Sequence, residues 1–121
     1  MSVPLISIVD DDESVRTAIA NLIRSLGYSV ETFASAEAYL RFGRIQDTAC
    51  VITDLHMPGL DGAGLQGQLA ANGHRTPIIF VTGYPDEQTR SRVLAAGAIG
   101  FFRKPFAEQS LITCLDKALK A

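Results

Sequence analysis

Residues 49–54 have the sequence ACVITD, an apolar run that ends in a carboxylate. Turn-forming residues flank this run, and such a pattern is typical of a strand that is covered on both faces in a parallel sheet. Asp54 is therefore predicted to lie at the carboxyl end of a buried strand. Open α/β sheets bind their ligands at that edge, so the position of Asp54 points to a functional site.

Outward from this strand, the hydrophobic pattern alternates between strand-like and helix-like periods. Strands are predicted at residues 5–9, 28–33, 49–53, 77–81 and 100–103. Helices are predicted at 13–26, from a Ser35 cap to about 42, at 62–71, from an Asp86 cap to about 96, and over a closing segment that contains Leu111 and Leu119. The fourth helix, DEQTRSRVLAA, has few apolar anchors and is expected to be the least firmly packed.

Right-handed crossovers and helices on both faces favour an α/β fold. We expect one doubly wound, flavodoxin-like (βα)5 domain over residues 1–121, with a five-stranded parallel sheet in the order 2-1-3-4-5. In this order the first and third strands are neighbours. Their terminal carboxylates then open into the same crevice.

Composition limits the class of protein. A chain of 121 residues can bury a core without disulfides, and its apolar runs are far too short to span a membrane. A net charge of −2 without a Lys/Arg cluster predicts no nucleic-acid contact through these residues. The N-terminus lacks a signal-peptide pattern, so a cytoplasmic location is expected. Cys50 and Cys114 are expected to be buried free thiols.

Asp10 and Asp11 follow the first strand as Asp54 follows the third. Uncompensated carboxylates a few ångströms apart repel by about 4 kcal/mol per pair at an effective dielectric of about 20, so a cation is required. The all-oxygen donor set predicts Mg²⁺. Asp11 and Asp54 are predicted as direct ligands, Asp10 as acting partly through water, and the main-chain carbonyl of His56 as a further ligand.

A plainer explanation is that the triplet DDD only begins a helix, because Asp is favoured at N-caps and in first turns. We accept that explanation for Asp12. Asp54 favours the metal site, since an acidic residue that closes a buried apolar strand costs desolvation unless a partner compensates it.

A carboxylate beside Mg²⁺ can also act as a nucleophile toward phosphorus, which would make Asp54 an aspartyl phosphate. Lys104 can pair with one phosphoryl oxygen and the Thr82 hydroxyl can donate to another. Taken singly, Thr82 is better explained as a β-branched strand end and Lys104 as a solvated lysine. The Lys104–Pro105 bond would be trans on frequency alone.

Four segments carry a family resemblance: IVDDD at 8–12, TDLHMPGLDG at 53–62, VTG at 81–83 and FFRKPF at 101–106. The chain resembles the receiver domain of two-component response regulators in the order of these segments. It also resembles that domain in the spacings of 43, 28 and 22 residues between Asp11, Asp54, Thr82 and Lys104. The likeness covers essentially the whole chain. It is strongest to the FixJ type of transcriptional regulator, in VDDDE, SAEAYL, TDLHMPGLDG and KPF.

The resemblance implies that Asp54 takes a phosphoryl group from a histidine of a sensor kinase. It also implies that the Lys104–Pro105 bond is cis and that Phe101 is an aromatic switch that turns inward as Thr82 moves toward the phosphate. His56 and Tyr84 would flank the water that hydrolyses the phosphate.

The resemblance further implies two surfaces. The fourth helix, fifth strand and fifth helix would pair two phosphorylated receivers into a homodimer, and the kinase would dock near Ser14, Ala18 and Phe106. Such a domain is not a conventional enzyme, although it promotes its own phosphorylation and dephosphorylation. Its output would be transcriptional, through a helix-turn-helix domain outside this chain.

Other functions stay open on sequence alone. The chain can be a stand-alone regulator or a phosphorelay intermediate, and a receiver that only binds partners without phosphorylation is opposed by the intact set of five polar residues. An aspartate-nucleophile phosphatase usually carries a second acid two residues after the nucleophile, where this chain has His56.

Overall fold

The computed structural model describes residues 3–120, which form one parallel sheet in the order β2-β1-β3-β4-β5. The strands are β1 (Leu5–Val9), β2 (Ser29–Phe33), β3 (Thr48–Asp54), β4 (Ile78–Thr82) and β5 (Gly100–Arg103). The helices are α1 (Glu13–Ser25), α2 (Ala36–Leu40), α3 (Gly62–Ala71), α4 (Glu87–Ala95) and α5 (Glu108–Lys120). The predicted fold class and strand order are confirmed.

Polar side chains cap the N-termini of α1, α2, α3 and α4. Asp12 is the N-cap of α1 and accepts the Ser14 N–H at 2.9 Å, as expected for that residue. Ser35 caps α2, Asp61 caps α3 and Asp86 caps α4 in the same manner. Side-chain oxygens thus satisfy N–H groups that have no partner within the helix.

The segment after α2 differs from the prediction. α2 ends at Leu40: the Arg41 N–H still makes a helical bond to the Glu37 carbonyl, and the Phe42 N–H tightens the last turn with a 3₁₀-type bond to the Tyr39 carbonyl. The connection between α2 and β3 contains a 3₁₀ turn, Ile45–Asp47. Ile45 is buried, and this apolar anchor in a polar stretch explains why the chain turns back onto the core.

The core lies on both faces of the sheet. One cluster packs α1 and α5 on the sheet, and the other packs α2, α3 and α4 on the opposite face. Successive residues of β1, β3 and β4 supply the two clusters in turn, as side chains alternate along a strand. Among the residues of α4 only Val93 is buried, whereas α1 buries three residues and α5 buries four. This agrees with the expected weak anchoring of α4.

Both cysteines are buried free thiols, as predicted. Burial, with a smaller contribution from Cys114, raises the pKa of the Cys50 thiol to about 12. Between residues 3 and 120 no helix combines the length and hydropathy needed to cross a bilayer.

Candidate functional site

The parallel register brings the ends of β1, β3, β4 and β5 to one edge of the sheet. Val9 pairs with Thr53, Asp54 with Val81, and Thr82 with Arg103. Asp10 and Lys104 are the residues that directly follow β1 and β5. The five polar residues singled out in the sequence therefore meet at this edge.

Asp10, Asp11 and Asp54 form a carboxylate cluster. One oxygen from each of the three lies within 4.8 Å of the others. Asp10 and Asp54 are buried and Asp11 is exposed to solvent. The arrangement combines an all-oxygen donor set with excess negative charge and an open side, which fits Mg²⁺.

Both carboxylate oxygens of Asp10 have protein partners. Oδ1 accepts the Asp12 N–H at 2.9 Å, and Oδ2 accepts from the Lys104 ammonium, also at 2.9 Å. The Lys104 nitrogen also lies 3.5 Å from Asp54 Oδ2, so one ammonium faces two buried carboxylates. Protein groups thus already engage both oxygens of Asp10.

The pKa of the Asp54 carboxyl is raised above its ordinary value. Burial is the largest cause that raises the pKa of Asp54, followed by the neighbouring Asp10 charge, while Lys104 works in the opposite direction. Burial works to lower the pKa of Lys104, yet its hydrogen bond to Asp10 and the two carboxylate charges outweigh burial and raise it. Lys104 thus stays charged, and a further cation would relieve Asp54.

Thr82 is fully buried at the end of β4, where its hydroxyl oxygen accepts the Tyr84 N–H at 3.1 Å. Among residues 3–120 no acceptor takes the hydroxyl proton, so it is free for an oxygen that enters the crevice. The Lys104–Pro105 peptide bond is cis, as the family resemblance implies.

His56 and Tyr84 face each other across the mouth of the site. A ring nitrogen of His56 lies 3.1 Å from the Tyr84 carbonyl oxygen, and the ring centroids are 6.5 Å apart. The Tyr84 side chain is 79% exposed. Beneath them lies a cavity of about 310 Å³, lined by Asp11, Asp12, Val15, Asp54, His56, Thr82, Gly83, Tyr84 and Lys104.

Phe101 lies away from this cavity. It is half-buried on β5, pairs with Phe80 of β4 and packs against the cluster under α2, α3 and α4. Phe80 is two residues before Thr82 on β4. Phe101 is therefore connected to the site through the sheet.

Two residues near the site were missed by sequence reasoning. Arg16 donates from Nη1 to the Asp10 carbonyl oxygen at 2.7 Å, and Glu37 accepts the Leu60 N–H at 2.9 Å. Arg16 follows Asp12 by four residues, which puts a cation one turn into the helix that begins after the acidic end of β1. This spacing is the sequence signal that could have identified Arg16. No comparable signal links Glu37 to Leu60.

Comparisons with known proteins agree with this geometry. The family model of the response regulator receiver domain matches residues 6–116. TodT, a response regulator protein of Pseudomonas putida, is 40% identical over 116 residues, which cover 96% of this chain and 51% of TodT. The transcriptional regulatory protein FixJ of Azorhizobium caulinodans is 34% identical over 114 residues, 94% of this chain and 54% of FixJ.

Among solved structures, the response regulator StyR superposes with a TM-score of 0.91 and 41% identity, over 98% of this chain and 60% of StyR. The chain spans about half the length of the curated relatives that it matches.

Proposed function

The chain belongs to the response regulator receiver domain family, and from this premise we propose that Asp54 is the phosphoacceptor of a two-component signalling system. Receiver domains are signalling domains whose partner is a sensor kinase. The observation that carries the proposal is the position of Asp54, a buried carboxylate beside Asp10, Asp11 and Lys104 with a raised pKa and an open crevice above it.

Asp11, Asp54 and the main-chain carbonyl of His56 would hold Mg²⁺, with Asp10 contributing partly through water. The bound ion supplies charge neutralisation for the phosphoryl oxygens, which is the main demand of phosphoryl transfer. The chain's own residues supply the nucleophile and the groups that orient the phosphoryl donor.

A carboxylate oxygen of Asp54 forms the new bond to phosphorus as the bond from phosphorus to the donor histidine nitrogen breaks. The electron pair of that bond stays on the imidazole, which takes up a proton from solvent. The Lys104 ammonium, 3.5 Å from Asp54 Oδ2, pairs with a phosphoryl oxygen, and the Thr82 hydroxyl donates its proton to another. Together, Lys104 and Thr82 stabilise the negative charge of the phosphoryl group.

The signal leaves the site through Thr82 and Phe101. A phosphoryl group adds roughly −1.5 to −2 charge with three acceptor oxygens. Thr82 moves toward these oxygens, Phe101 turns inward, and α4 shifts at low cost because it buries only Val93. The resulting α4-β5-α5 surface pairs two phosphorylated receivers.

The sensor kinase would dock beside the site, on the start of α1. An apolar cavity of about 380 Å³ lies there, lined by Val15, Ala18, Ile19, Leu22, Lys104, Pro105, Phe106 and Glu108. Val15 and Lys104 line both this cavity and the crevice that contains Asp54, so a histidine docked here would lie next to that crevice.

The domain extends over residues 1–121 in this proposal, and it controls a transcriptional output domain, as the name of FixJ indicates for that relative. It contacts no nucleic acid itself, since its charges are balanced and its basic residues are dispersed. A stand-alone regulator or phosphorelay intermediate is the alternative, distinguished by the length of the native gene product.

Incubation with acetyl phosphate and Mg²⁺, followed by intact mass, tests the proposal. We expect one added phosphoryl group on the wild-type chain, none after chelation of Mg²⁺, and none on Asp54→Asn. Asp116→Asn on the exposed face of α5 is the matched control and should be modified as the wild type is. Modification of Asp54→Asn to the wild-type extent would overturn the assignment.

A further inference from the structure

We propose that Glu37 is a positioning residue for the site: its carboxylate fixes the loop between β3 and α3, residues 55–61, in the conformation that presents the His56 carbonyl to Mg²⁺. The inference deepens the proposed function and rests on it. Glu37 touches neither the metal nor the phosphoryl group, so it acts through the loop alone.

The contact is a long-range hydrogen bond. Glu37 Oε2 accepts the Leu60 N–H at 2.9 Å across 23 residues of sequence. Glu37 is half-buried, and the Leu60 N–H is the largest cause that lowers the pKa of its carboxyl. The acceptor is thus ionised at neutral pH, and bonds to ionised acceptors are stronger than neutral ones.

Gly59 gives a second, independent observation. Its φ is +76°, a conformation that favours glycine, and a Cβ placed on it would lie 2.5 Å from Glu37 Oε2. A side chain at residue 59 would therefore have to displace the Glu37 carboxylate from its present position. The loop and Glu37 fit each other at two successive residues.

α2 is a firm support for this contact. Tyr39, two residues after Glu37, is fully buried and donates its hydroxyl to Thr48 Oγ1 at 3.0 Å. Thr48 also shares a 2.9 Å hydrogen bond with Ser7 of β1. Thr48 begins β3 and Asp54 ends it. Glu37 therefore connects the loop, through α2 and Tyr39, to the strand that carries the phosphoacceptor Asp54.

The loop depends on the hydrogen bond from the Leu60 N–H to Glu37 because the residues at the tip of the loop have few other contacts. Leu55 and Met57 are buried, but Pro58 and Gly59 are exposed. The Leu55 N–H bonds to the Val81 carbonyl at 3.1 Å and the Gly62 N–H bonds to the Leu55 carbonyl at 2.9 Å, so both ends of the loop are held, whereas the contact of the His56 N–H with Asp54 Oδ1 is long, at 3.4 Å. Without the Glu37 acceptor, the loop can carry the His56 carbonyl out of position.

Loss of the Glu37 carboxylate should weaken Mg²⁺ binding and leave the maximal rate of phosphorylation unchanged. Partners that orient metal ligands usually contribute 10–100-fold to affinity, and we expect Glu37→Ala to weaken Mg²⁺ binding by about tenfold. Phosphorylation by acetyl phosphate should be slower at limiting Mg²⁺ and should recover the wild-type rate at saturating Mg²⁺. Glu37→Gln keeps an acceptor oxygen without the charge and should restore most of the affinity.

Two measurements test the inference. Calorimetric titration with Mg²⁺ gives the affinity, and hydrogen exchange of the metal-free protein gives the protection of the Leu60 amide, which should fall by about tenfold in Glu37→Ala. Glu31→Ala, which removes the same charge from an exposed residue of β2, should change neither. Gly59→Ala, which displaces the carboxylate while keeping Glu37, should reproduce both effects.

The outcomes separate the two proposals. If wild-type protein neither binds Mg²⁺ nor accepts phosphoryl, the proposed function fails. If wild type does both and Glu37→Ala retains wild-type Mg²⁺ affinity or Leu60 protection, the role of Glu37 alone is rejected. An equal loss of Mg²⁺ affinity in Glu37→Ala and Glu31→Ala also rejects it. So does a loss of phosphorylation rate in Glu37→Ala that saturating Mg²⁺ does not restore.

Discussion

The Lys104 ammonium lies 2.9 Å from Asp10 Oδ2, an ion pair that joins residues 94 apart in sequence. Asp10 is 1% exposed at its side chain and Lys104 is 19% exposed, so water screens the pair weakly. Removal of one partner of a buried pair leaves an uncompensated charge, which is more costly than the pair is stabilising.

Lys104→Met should therefore lower the free energy of unfolding of metal-free protein by about 2 kcal/mol, somewhat below the usual cost for a fully buried pair because Lys104 is partly exposed. Urea unfolding with and without Mg²⁺ measures it. Mg²⁺ should recover part of the loss, since a cation then compensates the carboxylates. Lys117→Met removes an exposed lysine of α5 and should change stability little; an equal effect of both variants would contradict the role of the pair.

Asp54→Asn should stabilise the metal-free protein at neutral pH. Burial and the Asp10 charge raise the pKa of Asp54, so the folded state holds this proton more tightly than the unfolded state does. The ionised carboxylate therefore costs stability above its raised pKa, and this cost disappears as the pH falls toward the ordinary carboxyl pKa of about 3.9. We expect a gain of about 1 kcal/mol near neutrality, the usual size of a single-substitution effect.

Urea unfolding of Asp54→Asn and wild type across the acid range checks the sign. The gain should shrink as the pH is lowered, and Mg²⁺ should reverse it by stabilising only the wild type. A variant that is less stable than the wild type without metal would show that Asp54 is adequately compensated by Lys104.

The sequence predicts the carboxylate cluster well because the evidence for it is local. Asp10, Asp11 and Asp54 each follow an apolar run, and the sheet order that brings them together follows from the crossover rules. Lys104 and Thr82 could be placed at the same edge for the same reason, although each residue taken singly has a plainer explanation.

The supports of the site could not be predicted in the same way. The bond from Glu37 to the Leu60 N–H uses a main-chain donor, which leaves no residue-specific signal, and the bond from Arg16 to the Asp10 carbonyl has only the spacing of Arg16 from Asp12 as a signal. The 3₁₀ turn at Ile45–Asp47 depends on tertiary burial of one isoleucine. Such features are set by packing and not by local propensity.

The two cysteines should be protected from thiol reagents in the folded protein. Cys50 is 0% exposed with a thiol pKa of about 12, and Cys114 is 8% exposed with a pKa that burial raises. Modification with a chromogenic disulfide at pH 8 should be slow for both and rapid for both in urea. Since unfolded thiols ionise near pH 8.5, stability should fall as the pH rises above that value. Rapid labelling of Cys50 without denaturant would contradict its burial.

Arg16→Ala should loosen the loop that carries the acidic residues. Its guanidinium donates to the Asp10 carbonyl oxygen at 2.7 Å in a partly buried setting. Hydrogen bonds from charged donors contribute about 1.5–3 kcal/mol to stability. We expect chemical unfolding to show that the free energy of unfolding falls by about 1.5 kcal/mol. Arg24→Ala, near the end of the same helix and exposed, is the control. Equal stability of the two variants would mean that the bond contributes nothing net.

Tyr84→Ala should shorten the lifetime of the phosphorylated protein. The Tyr84 ring stands over the mouth of the crevice opposite His56, where it can exclude the water that attacks the phosphate. The His56 ring nitrogen bonds to the Tyr84 main-chain carbonyl, so the substitution removes the ring and keeps that contact. We expect dephosphorylation to accelerate by about two- to fivefold, less than about 1 kcal/mol of barrier.

Release of inorganic phosphate at saturating Mg²⁺, after removal of acetyl phosphate, measures the lifetime of the Tyr84 variants. Tyr84→Phe keeps the ring without the hydroxyl and should retain the wild-type lifetime, because exclusion of water depends on the volume of the ring. If Tyr84→Ala has an unchanged or longer lifetime, the ring does not shield the phosphate. If Tyr84→Phe is as short-lived as Tyr84→Ala, the hydroxyl and not the ring controls hydrolysis.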